Sequence, residues 1–350
     1  MRIVVTGATG NVGTAVLRRL QREPDLEIVA LARRLPDESE APYAGVAWHA
    51  LDVGAERAVP ELTEIFRGAD AVIHLAWLIQ PSWDVRALRR ANMDGTVHVL
   101  RAVADAGVPH LAYASSVGAY SAGPKRTRVD ETWPTGGLHT STYSTAKAAN
   151  ERSLDLFEAG HADITITRLR PGIIFQGDES SHIQDLFLGR WLPTRWIGRV
   201  RLPAIPLPHR LIFQGVHTDD VAEAFWLAVK RRAGGAFNLA AEPIIDRKAI
   251  AAAMSASRAI GLDRRALRAL VTILWRLHVL PVDPGWLDMA TFVPTMSTRR
   301  AREVLGWEPR VSATDALREV VAGLAEHTAV PASPPLRRFS GRRVRTGDRD

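Results

Sequence analysis

Short apolar runs alternate with amphipathic stretches of helical length along the first half of the chain. Runs rich in Val, Ile, Leu and Ala read as strands: RIVVT (2–6), LEIVALA (26–32), GVAWHAL (45–51), DAVIHLA (70–76), HLAYASS (110–116) and DITITRL (163–169). Continuous apolar runs are typical of parallel strands covered on both faces. Helical patterns lie between them, at 11–22, 56–67, 85–106 and 141–159. This alternation predicts an α/β fold with a doubly wound parallel sheet.

The regular alternation of strand and helix patterns ends after Pro171. Residues 176–210 are rich in Pro, Trp and Arg and show no clean period, and they are followed by a strand, LIFQGVHT, a helix at 219–231 and a strand, AFNLA. Helical patterns return at 246–254 and 264–280. We expect residues 1–175 to form mainly the sheet domain and 176–326 mainly a smaller lobe, with segments at about 211–240 returning to the sheet domain.

Composition narrows the class of protein. Of the 350 residues, 46% are hydrophobic and 24% charged, as in ordinary globular proteins, and none is cysteine. Disulfides, zinc–thiolate sites and cysteine nucleophiles are therefore excluded, and no other pattern predicts a metal site. The start, MRIVVTG, lacks the features of a signal peptide, and no apolar run is long enough for a membrane span. We expect a cytoplasmic protein with no membrane contact.

The formal charge of +7 is concentrated at the end of the chain. The segment from Thr328 onward carries six arginines against two aspartates, so it accounts for four of the seven net charges. With its Pro, Ser and Gly content, this segment predicts a basic, disordered tail at 327–350. A solvated tail explains the charge better than a nucleic-acid site does, so no nucleic-acid partner is expected.

The segment TGATGNVGTAVLRRL (6–20) places three glycines three residues apart, directly between a predicted strand and a predicted helix. That context is the one a dinucleotide site needs. Gly7 permits the tight turn, Gly10 lets backbone approach a pyrophosphate, and Gly13 lets the helix pack closely on the sheet. The free N–H groups at the start of the helix then face the phosphates. The loop is predicted to bind a nucleotide.

With this loop, an ordered set of motifs resembles the extended short-chain dehydrogenase/reductase family, of the NAD(P)-dependent epimerase/dehydratase type. The motifs are ALDV (50–53), HLA (74–76), NMDGT (92–96), YASSVGAY (113–120), YSTAK (143–147), RPGIIF (170–175), VHTDDVA (216–222), FNLA (237–240) and LGWEP (305–309). The resemblance covers about residues 1–325. It implies an NAD(P)-binding Rossmann domain, a substrate lobe after it, and a homodimer packed through the helices at about 85–106 and 141–159.

The same resemblance implies which residues hold the cofactor. Asp52 would contact the adenine, while Leu75 and Ala76 would pass beneath the cofactor. Lys147 would hydrogen-bond the nicotinamide ribose. The remaining positions implied by the matched motifs are Thr9, Asn11, Val12, Val53, Tyr143, Pro171 and Ile173, beside the three glycines.

The end of the second predicted strand bears on the choice between NAD and NADP. An acidic residue there normally accepts hydrogen bonds from the ribose hydroxyls, but this chain has Arg33 and Arg34 in ALARRLP. A guanidinium offers paired hydrogen bonds to a 2′-phosphate. We expect NADP(H), with NAD(H) as the alternative if the two arginines simply face solvent.

Tyr143 and Lys147 stand four residues apart in a helical pattern, so their side chains share one face. A phenol titrates at about 10, and a neighbouring ammonium together with the positive charge of an oxidised nicotinamide is expected to lower that pKa. Tyr143 is then the predicted acid/base on the substrate oxygen. Ser116 is the hydroxyl chosen to orient that oxygen, with Ser115 as the alternative. The resemblance implies that Asn92 supports a proton-relay water; it could equally be an ordinary helix residue.

The chain lacks the motifs that the resemblance associates with dehydration, deoxysugar synthesis and decarboxylation. Family dehydratases place an Asp-Glu pair after the catalytic hydroxyl, where this chain has Val117 and Gly118. Enzymes that remake deoxysugars rely on a cysteine, and decarboxylating relatives carry a glutamate in the serine segment; both are missing. What remains is an oxidoreductase acting on a carbonyl or secondary alcohol, or an NAD-dependent sugar-nucleotide 4-epimerase. A nucleotide-sensing or nucleic-acid-binding relative without activity is the third alternative.

The expected substrate is a small molecule. Trp77 replaces the small residue usual after HLA and would narrow the pocket near the nicotinamide. The apolar segment at 185–213 suits an apolar substrate, which favours the oxidoreductase. Arg190 is a candidate contact because a guanidinium could hold the diphosphate of a sugar nucleotide, as a 4-epimerase requires.

Overall fold

The computed structural model describes residues 1–79, 83–177, 201–209, 211–326, 328 and 330–336. A seven-stranded parallel sheet forms its centre, in the order β12-β7-β5-β4-β1-β2-β3. Its strands are β1 Arg2–Thr6, β2 Glu27–Ala32, β3 Ala47–Ala50, β4 Ala71–His74, β5 His110–Ala114, β7 Thr165–Pro171 and β12 Gly235–Leu239. The predicted doubly wound parallel sheet is confirmed, and the strand order reverses between β1 and β4, where such sheets bind ligands.

Helices cover both faces of the sheet and continue into the second lobe. In chain order they are α1 Asn11–Leu20, α2 Ala58–Phe66, α3 Val85–Arg89, α4 Gly95–Asp105, α5 Thr142–Gly160, α6 Thr218–Lys230, α7 Arg247–Ala253, α8 Arg264–Arg276, α9 Gly285–Phe292, α10 Arg299–Leu305 and α11 Ala313–Glu326. A π-helical turn, Arg90–Asp94, joins α3 to α4, and a 3₁₀ turn, Val117–Ala119, follows β5.

Two apolar cores flank the sheet. One joins α1, α6 and α10 to the strands and includes Leu17, Phe225 and Trp307. The other joins α2 and α4 to the opposite face and includes Phe66 and Leu100. Strands β1, β2, β4, β5 and β7 are buried on both faces, which explains why their sequences are apolar without alternation, whereas the edge strand β3 is partly exposed.

Short strand pairs build the second lobe: β8 Ile173–Phe175 with β11 Gly215–His217, β9 Ile205–Pro208 with β14 Ala259–Leu262, β10 Ile212–Phe213 with β13 Ile245–Asp246, and β6 Arg128–Val129 with β15 Thr295–Met296. The stretch LIFQGVHT thus contains two strands, while α6 packs on the sheet and β12 forms its edge. The chain therefore passes back from the second lobe to the sheet.

The structure departs from the sequence-based expectation in two segments. The helix expected over 85–106 is interrupted by the π-helical turn at Arg90–Asp94, beside which Gly54 fits because a Cβ there would lie 2.7 Å from the Arg90 carbonyl oxygen. The tail expected to be disordered from residue 327 is packed at 330–336, where Ser333 and Leu336 are buried. Residues 337–350 lie outside the described residues.

In the described residues, no helix is both long and apolar enough to cross a lipid bilayer.

Candidate functional site

The glycine loop between β1 and α1 has the geometry that its three roles require. Gly7 adopts a φ of +71°, and a Cβ there would lie 2.6 Å from the backbone nitrogen of Ala76. Gly13 packs so closely that a Cβ would lie 2.4 Å from the Gly7 carbonyl oxygen. At Gly10 the nearest atom would be 3.4 Å away, so this position is open. Backbone conformation and helix packing thus require Gly7 and Gly13, whereas Gly10 leaves room for a ligand.

Gly10 is the N-cap of α1, and no side chain caps the helix there. The first N–H groups of an α-helix have no partner within the helix, so the start of α1 offers donors and a positive dipole end to an anion. Thr9, Asn11 and Val12 lie on this turn, and the Asn11 side chain accepts a hydrogen bond of 2.8 Å from Thr218 on α6. The predicted loop residues therefore form one phosphate-sized cradle.

Arg33 and Arg34 follow β2 directly and are both exposed. β2 pairs with β1, and the Leu31 carbonyl accepts hydrogen bonds from the backbone of Gly7 (2.9 Å) and Ala8 (3.2 Å). The arginine pair thus stands beside the glycine loop, at the same edge of the sheet.

Asp52 and Val53 follow β3 on that edge. The Asp52 carboxylate accepts a backbone hydrogen bond from Gly54 (3.0 Å) and lies 3.1 Å from the Arg90 guanidinium. Val53 is buried, and its side chain would collide with a Cβ at Gly95. These contacts tie the loop after β3 to the π-helical turn.

Leu75 and Ala76 follow β4, at the point where the strand order reverses. The Leu75 backbone nitrogen donates to the Thr6 carbonyl over 3.1 Å, and Ala76 lies against Gly7. Pro171 ends β7 and is buried, whereas Ile173 begins β8 and is 40% exposed. Arg190 lies outside the described residues.

The catalytic set predicted from the sequence comes together at the start of α5. Ser116 is the N-cap of the 3₁₀ turn after β5, its hydroxyl accepts a hydrogen bond from the Gly118 backbone (3.0 Å), and it also hydrogen-bonds Tyr143. The Lys147 Nζ atom donates to the Ala114 carbonyl over 2.7 Å and lies 5.9 Å from the centroid of the Tyr143 ring. Ser115 instead donates to Glu151 over 2.5 Å, which leaves Ser116 as the hydroxyl beside the tyrosine.

Burial decides the protonation of this set. It raises the pKa of Tyr143, and the hydrogen bond from Ser116 opposes that shift without cancelling it. Burial also lowers the pKa of Lys147 well below its ordinary value, although the Glu151 carboxylate acts in the other direction. In this structure the pKa of Tyr143 is raised and not lowered, because burial of the phenol dominates.

Two tryptophans flank the Tyr143 ring. The Trp77 ring stands edge-on to it at 5.5 Å between centroids, and the Trp286 ring of α9 lies at 4.9 Å. The Trp77 ring also covers Lys147, whose Nζ atom lies 3.4 Å from the ring centroid. Trp77 Nε1 is buried and has no hydrogen-bond partner among the described residues. A buried donor without a partner is costly, so it favours a ligand acceptor at this position.

A cavity of about 340 Å³ opens beside this aromatic group. Tyr143 forms part of its wall, and the lining is apolar on one part and charged on another: Trp77, Leu78, Val85, Leu88 and Trp286 are apolar, and Arg89, Arg152 and Asp283 are charged. Its volume suits a small organic molecule.

Asn92 holds the loop that carries Trp77. Its amide oxygen accepts a hydrogen bond from the Leu78 backbone nitrogen (2.6 Å), and its amide nitrogen donates to the Leu78 carbonyl (2.8 Å). Its own carbonyl accepts a hydrogen bond from Asn150 on α5 over 2.8 Å. The structure thus shows Asn92 as a support for the loop after β4, a role that the resemblance did not imply.

Sequence reasoning missed the buried carboxylate of Glu151, one turn beyond Lys147. Arg170 binds it through two hydrogen bonds, of 2.8 Å and 2.9 Å, and Arg168 lies 3.4 Å away. These partners keep the pKa of Glu151 low although its burial acts in the opposite direction. The spacing of Tyr143, Lys147 and Glu151 at every fourth position was the available signal, since it puts all three on one helix face.

His74 at the end of β4 was also missed. Its ring nitrogens hydrogen-bond Thr6 (2.7 Å) and Thr96 (3.2 Å), and burial lowers its pKa to about 3. A neutral imidazole thus links β1, β4 and α4 beneath the loop that carries Trp77.

The segment at 330–336 crosses the glycine loop. The Ser333 hydroxyl donates to the Thr9 carbonyl over 2.7 Å, and the Asp37 backbone nitrogen donates to the Ala332 carbonyl over 2.9 Å. The segment therefore bridges the glycine loop and the chain after Arg34, which are the two sides of the predicted nucleotide site.

These features fit a nicotinamide dinucleotide. The open position at Gly10 and the uncapped start of α1 suit its phosphates, and the partnerless Trp77 Nε1 lies beside Tyr143 and Lys147. The nucleotide would extend along the carboxyl edge of the sheet between these two places.

Comparison with known proteins agrees with this geometry. A UDP-glucose 4-epimerase of Streptomyces lividans is 26% identical over 88% of this chain and 91% of its own length. A 4-hydroxy-2-methyl-3-oxo-4-farnesyl-3,4-dihydroquinoline-1-oxide ketoreductase of Stigmatella aurantiaca is 26% identical over 95% of this chain and 99% of its own. Among solved structures, a UDP-glucose 4-epimerase of Thermotoga maritima with UDP-glucose matches with a TM-score of 0.69 and 19% identity, over 93% of this chain and 99% of that chain.

The model of one family matches residues 3–240, from β1 to the edge strand of the sheet. This range includes the glycine loop, Ser116, Tyr143 and Lys147. The resemblance inferred from the motifs is thereby confirmed, and the protein belongs to the NAD dependent epimerase/dehydratase family.

Proposed function

We propose that this protein is an NADP(H)-dependent oxidoreductase that reduces an apolar ketone to a secondary alcohol. The observation that carries the proposal is the Tyr143 phenol, held between Trp77 and Trp286 with a raised pKa and a hydrogen bond to Ser116. A phenol that keeps its proton is suited to donate it to the oxygen of a carbonyl as that carbonyl is reduced.

Each residue of the site would have a separate role in the reduction of that carbonyl. Ser116 and Tyr143 would hydrogen-bond the carbonyl and orient it, and Tyr143 would deliver the proton. Bound NADPH would supply a hydride to the carbonyl carbon. Lys147 would hold the ribose next to the reacting ring, while the two tryptophans would exclude water. Asn92 would keep the loop that bears Trp77 in place through its two bonds to Leu78.

Arg33 and Arg34 support the choice of NADP(H). They are exposed, they follow β2, and they stand at the sheet edge next to the glycine loop, where a 2′-phosphate would lie. NADPH also suits net reduction, because it serves as a reductant. The family name and the solved relatives favour NAD, so the proposal of NADP(H) depends on the arginine pair alone.

The cavity supports the substrate class. Aromatic and aliphatic side chains line it beside Tyr143, and the lining also includes Arg89, Arg152 and Asp283. The cavity would therefore suit a substrate with an apolar body and a few polar atoms. The ketoreductase of Stigmatella aurantiaca, matched over nearly its whole length, acts on a substrate with a farnesyl chain according to its name.

The second candidate is a sugar-nucleotide 4-epimerase. It is favoured by the UDP-glucose 4-epimerase of Streptomyces lividans, which matches over 88% of this chain. Such an enzyme would use the same Ser116, Tyr143 and Lys147, would retain NAD, and would bind a diphosphate in the second lobe.

We further propose a homodimer built from α4 and α5. On α5, Leu156 is 77% exposed and would lie in such a helix-to-helix contact. The molar mass from light scattering would test it: Leu156→Glu should shift the wild-type dimer to a monomer, whereas a monomeric wild type would rule it out.

One experiment separates the two functions. The freshly purified protein is denatured and any released nucleotide is identified; the emptied protein is then titrated with NADPH and NADH. Preferential NADPH binding, followed by NADPH oxidation in the presence of aromatic or prenylated ketones, supports the reductase. Retained NAD, no preference for NADPH and conversion of UDP-glucose to UDP-galactose would establish the epimerase instead.

A further inference from the structure

The second lobe carries a helix that buries none of its residues. Helix α8, Arg264–Arg276, has 13 residues and begins at Asp263, whose carboxylate accepts hydrogen bonds from the backbone of Arg265 and Ala266. On its inner side, Arg264 and Arg268 pair with the buried Asp288 of α9, at 3.2 Å and 2.9 Å. The helix is thus well formed and held on one side, yet its opposite side faces solvent.

That outer side is apolar. Leu270, Ile273 and Leu277 recur at spacings of three and four residues, and their exposed fractions are 52%, 56% and 66%. Val279 follows with 50%, and Trp83 lies next to them with 46%, its ring 4.9 Å from that of His278. We call these five residues, Trp83, Leu270, Ile273, Leu277 and Val279, the α8 patch. Leucine, isoleucine and tryptophan exposed together mark an interaction surface.

Positive charge borders this patch. Arg265 and Arg276 are exposed and stand eleven residues apart, which is three helical turns, so they share one side of α8. That side adjoins the apolar row. A helix with Leu and Ile on one face and arginines along its border is typical of helices that lie in the interface of a membrane with anionic lipids, and Trp83 adds an aromatic ring beside this face.

We propose that the α8 patch docks this protein on an anionic lipid surface, with α8 parallel to the membrane plane. Leu270, Ile273 and Leu277 enter the boundary between headgroups and acyl chains, and Arg265 and Arg276 contact lipid phosphates. A second copy of this chain is a poorer occupant, because a two-fold contact would bring the like charges of both arginine pairs together. Surface docking of this kind needs no spanning helix, and it replaces the expectation of no membrane contact, which was drawn from the lack of a membrane span.

The α8 patch lies close to the mouth of the cavity beside Tyr143. Val85 lines the cavity beside Tyr143 and is itself 54% exposed, and Trp83 of the patch precedes it by two residues. Docking would thus place the mouth of the cavity close to the lipid, where a molecule with a long apolar chain resides. The lipid contact itself does not depend on which reaction the enzyme performs.

Co-sedimentation of the full-length protein with vesicles tests the proposal. Vesicles of phosphatidylglycerol and phosphatidylcholine in equal parts should pellet the protein, and vesicles of phosphatidylcholine alone should pellet far less. The double variant Leu270→Glu/Ile273→Glu should lower the partition coefficient by about tenfold or more. Since both side chains already face solvent, this variant should keep the wild-type circular dichroism spectrum and cofactor affinity.

Two controls make the outcome specific. Val304→Glu on α10, at a valine that is 41% exposed and outside the patch, should pellet like the wild type. A variant that ends after Leu336 lacks the arginine-rich end of the chain and should still pellet. The proposal is overturned if the wild type stays in the supernatant, if the α8 double variant pellets equally well, or if only the shortened variant loses binding. A change from dimer to monomer in the double variant, without vesicle binding by the wild type, would show that the patch joins two copies.

Discussion

The Nζ atom of Lys147 lies 3.4 Å from the centroid of the Trp77 ring, on the ring's face. An aromatic face attracts a cation and excludes water from it. Here the ring both supports the positive charge of Lys147 and helps to bury it, while the Lys147 pKa is lowered by that burial. Trp77 therefore acts on the lysine as well as on the shape of the cavity.

Replacing this ring should impair catalysis in proportion to the lost aromatic face. Trp77→Ala removes a desolvated cation–π contact of about 2 kcal/mol, so kcat/KM should fall by about 30-fold. Trp77→Phe keeps an aromatic face and should lose less. Steady-state kinetics with a saturating nicotinamide cofactor measures both. If the alanine variant matched the wild type, the ring would have no role in holding Lys147.

The raised pKa of Tyr143 predicts opposite pH profiles for the two directions of the reaction. Because the hydroxyl keeps its proton from neutral into alkaline pH, ketone reduction should be nearly constant over that range. Alcohol oxidation needs the phenolate, so it should accelerate as the pH rises. Initial rates of both directions across this range provide the test, and an oxidation rate that does not change would contradict the assignment of Tyr143.

Removing the Tyr143 hydroxyl should abolish most turnover without emptying the cofactor site. Tyr143→Phe is expected to lower kcat by roughly 10²- to 10⁴-fold, as for the loss of a general acid. Tyr43→Phe is the matched control: its hydroxyl hydrogen-bonds Thr14 at 3.0 Å, away from Ser116, and its loss should leave the pH profiles unchanged. Unchanged turnover in the Tyr143 variant would refute the mechanism.

Arg33 should discriminate between the two cofactors. Arg33→Ser removes a charged hydrogen bond worth about 1.5–3 kcal/mol, so NADPH affinity should fall by roughly 10- to 100-fold while NADH affinity stays the same. Fluorescence titration with each nucleotide measures this. Arg22→Ser, at an exposed arginine just past the end of α1, should change neither affinity. Equal effects on NADPH and NADH would mean that Arg33 does not contact a 2′-phosphate.

The buried Glu151 should matter more for stability than an exposed carboxylate in a similar ion pair. Glu151→Gln leaves the Arg170 and Arg168 guanidinium groups without their buried partner, which should cost about 3–5 kcal/mol in the free energy of unfolding. Asp315→Asn breaks a pair with Arg318 in which both side chains are 61% exposed, and should cost less than about 1 kcal/mol. Urea denaturation compares the two variants, and similar losses would contradict the role of burial.

The sequence predicts the parts of this molecule that depend on local pattern. Apolar runs predicted the strands of the sheet, and the glycine spacing predicted a loop in which Gly7 and Gly13 are required by backbone geometry. The four-residue spacing placed Tyr143 and Lys147 on one face of α5.

Features that depend on distant contacts could not be predicted in the same way. Trp286 contacts Tyr143 from a helix 143 positions further along the chain, and no sequence pattern near Tyr143 indicates this contact. The sign of the Tyr143 pKa shift follows from the burial that such rings create, which has no local signature. The π-helical turn that holds Asn92 within hydrogen-bond distance of Leu78 was also not predictable, because the sequence there has a regular helical pattern.

The hydrogen bond from Ser333 to the Thr9 carbonyl joins positions 324 residues apart. Protein synthesis proceeds from the N-terminus, so the glycine loop is made long before Ser333. The loop can therefore acquire its full surroundings only after synthesis has passed residue 333. A nascent chain that has not yet reached residue 330 lacks the segment that crosses the glycine loop, so the loop receives this contact only after every strand of the central sheet has been made.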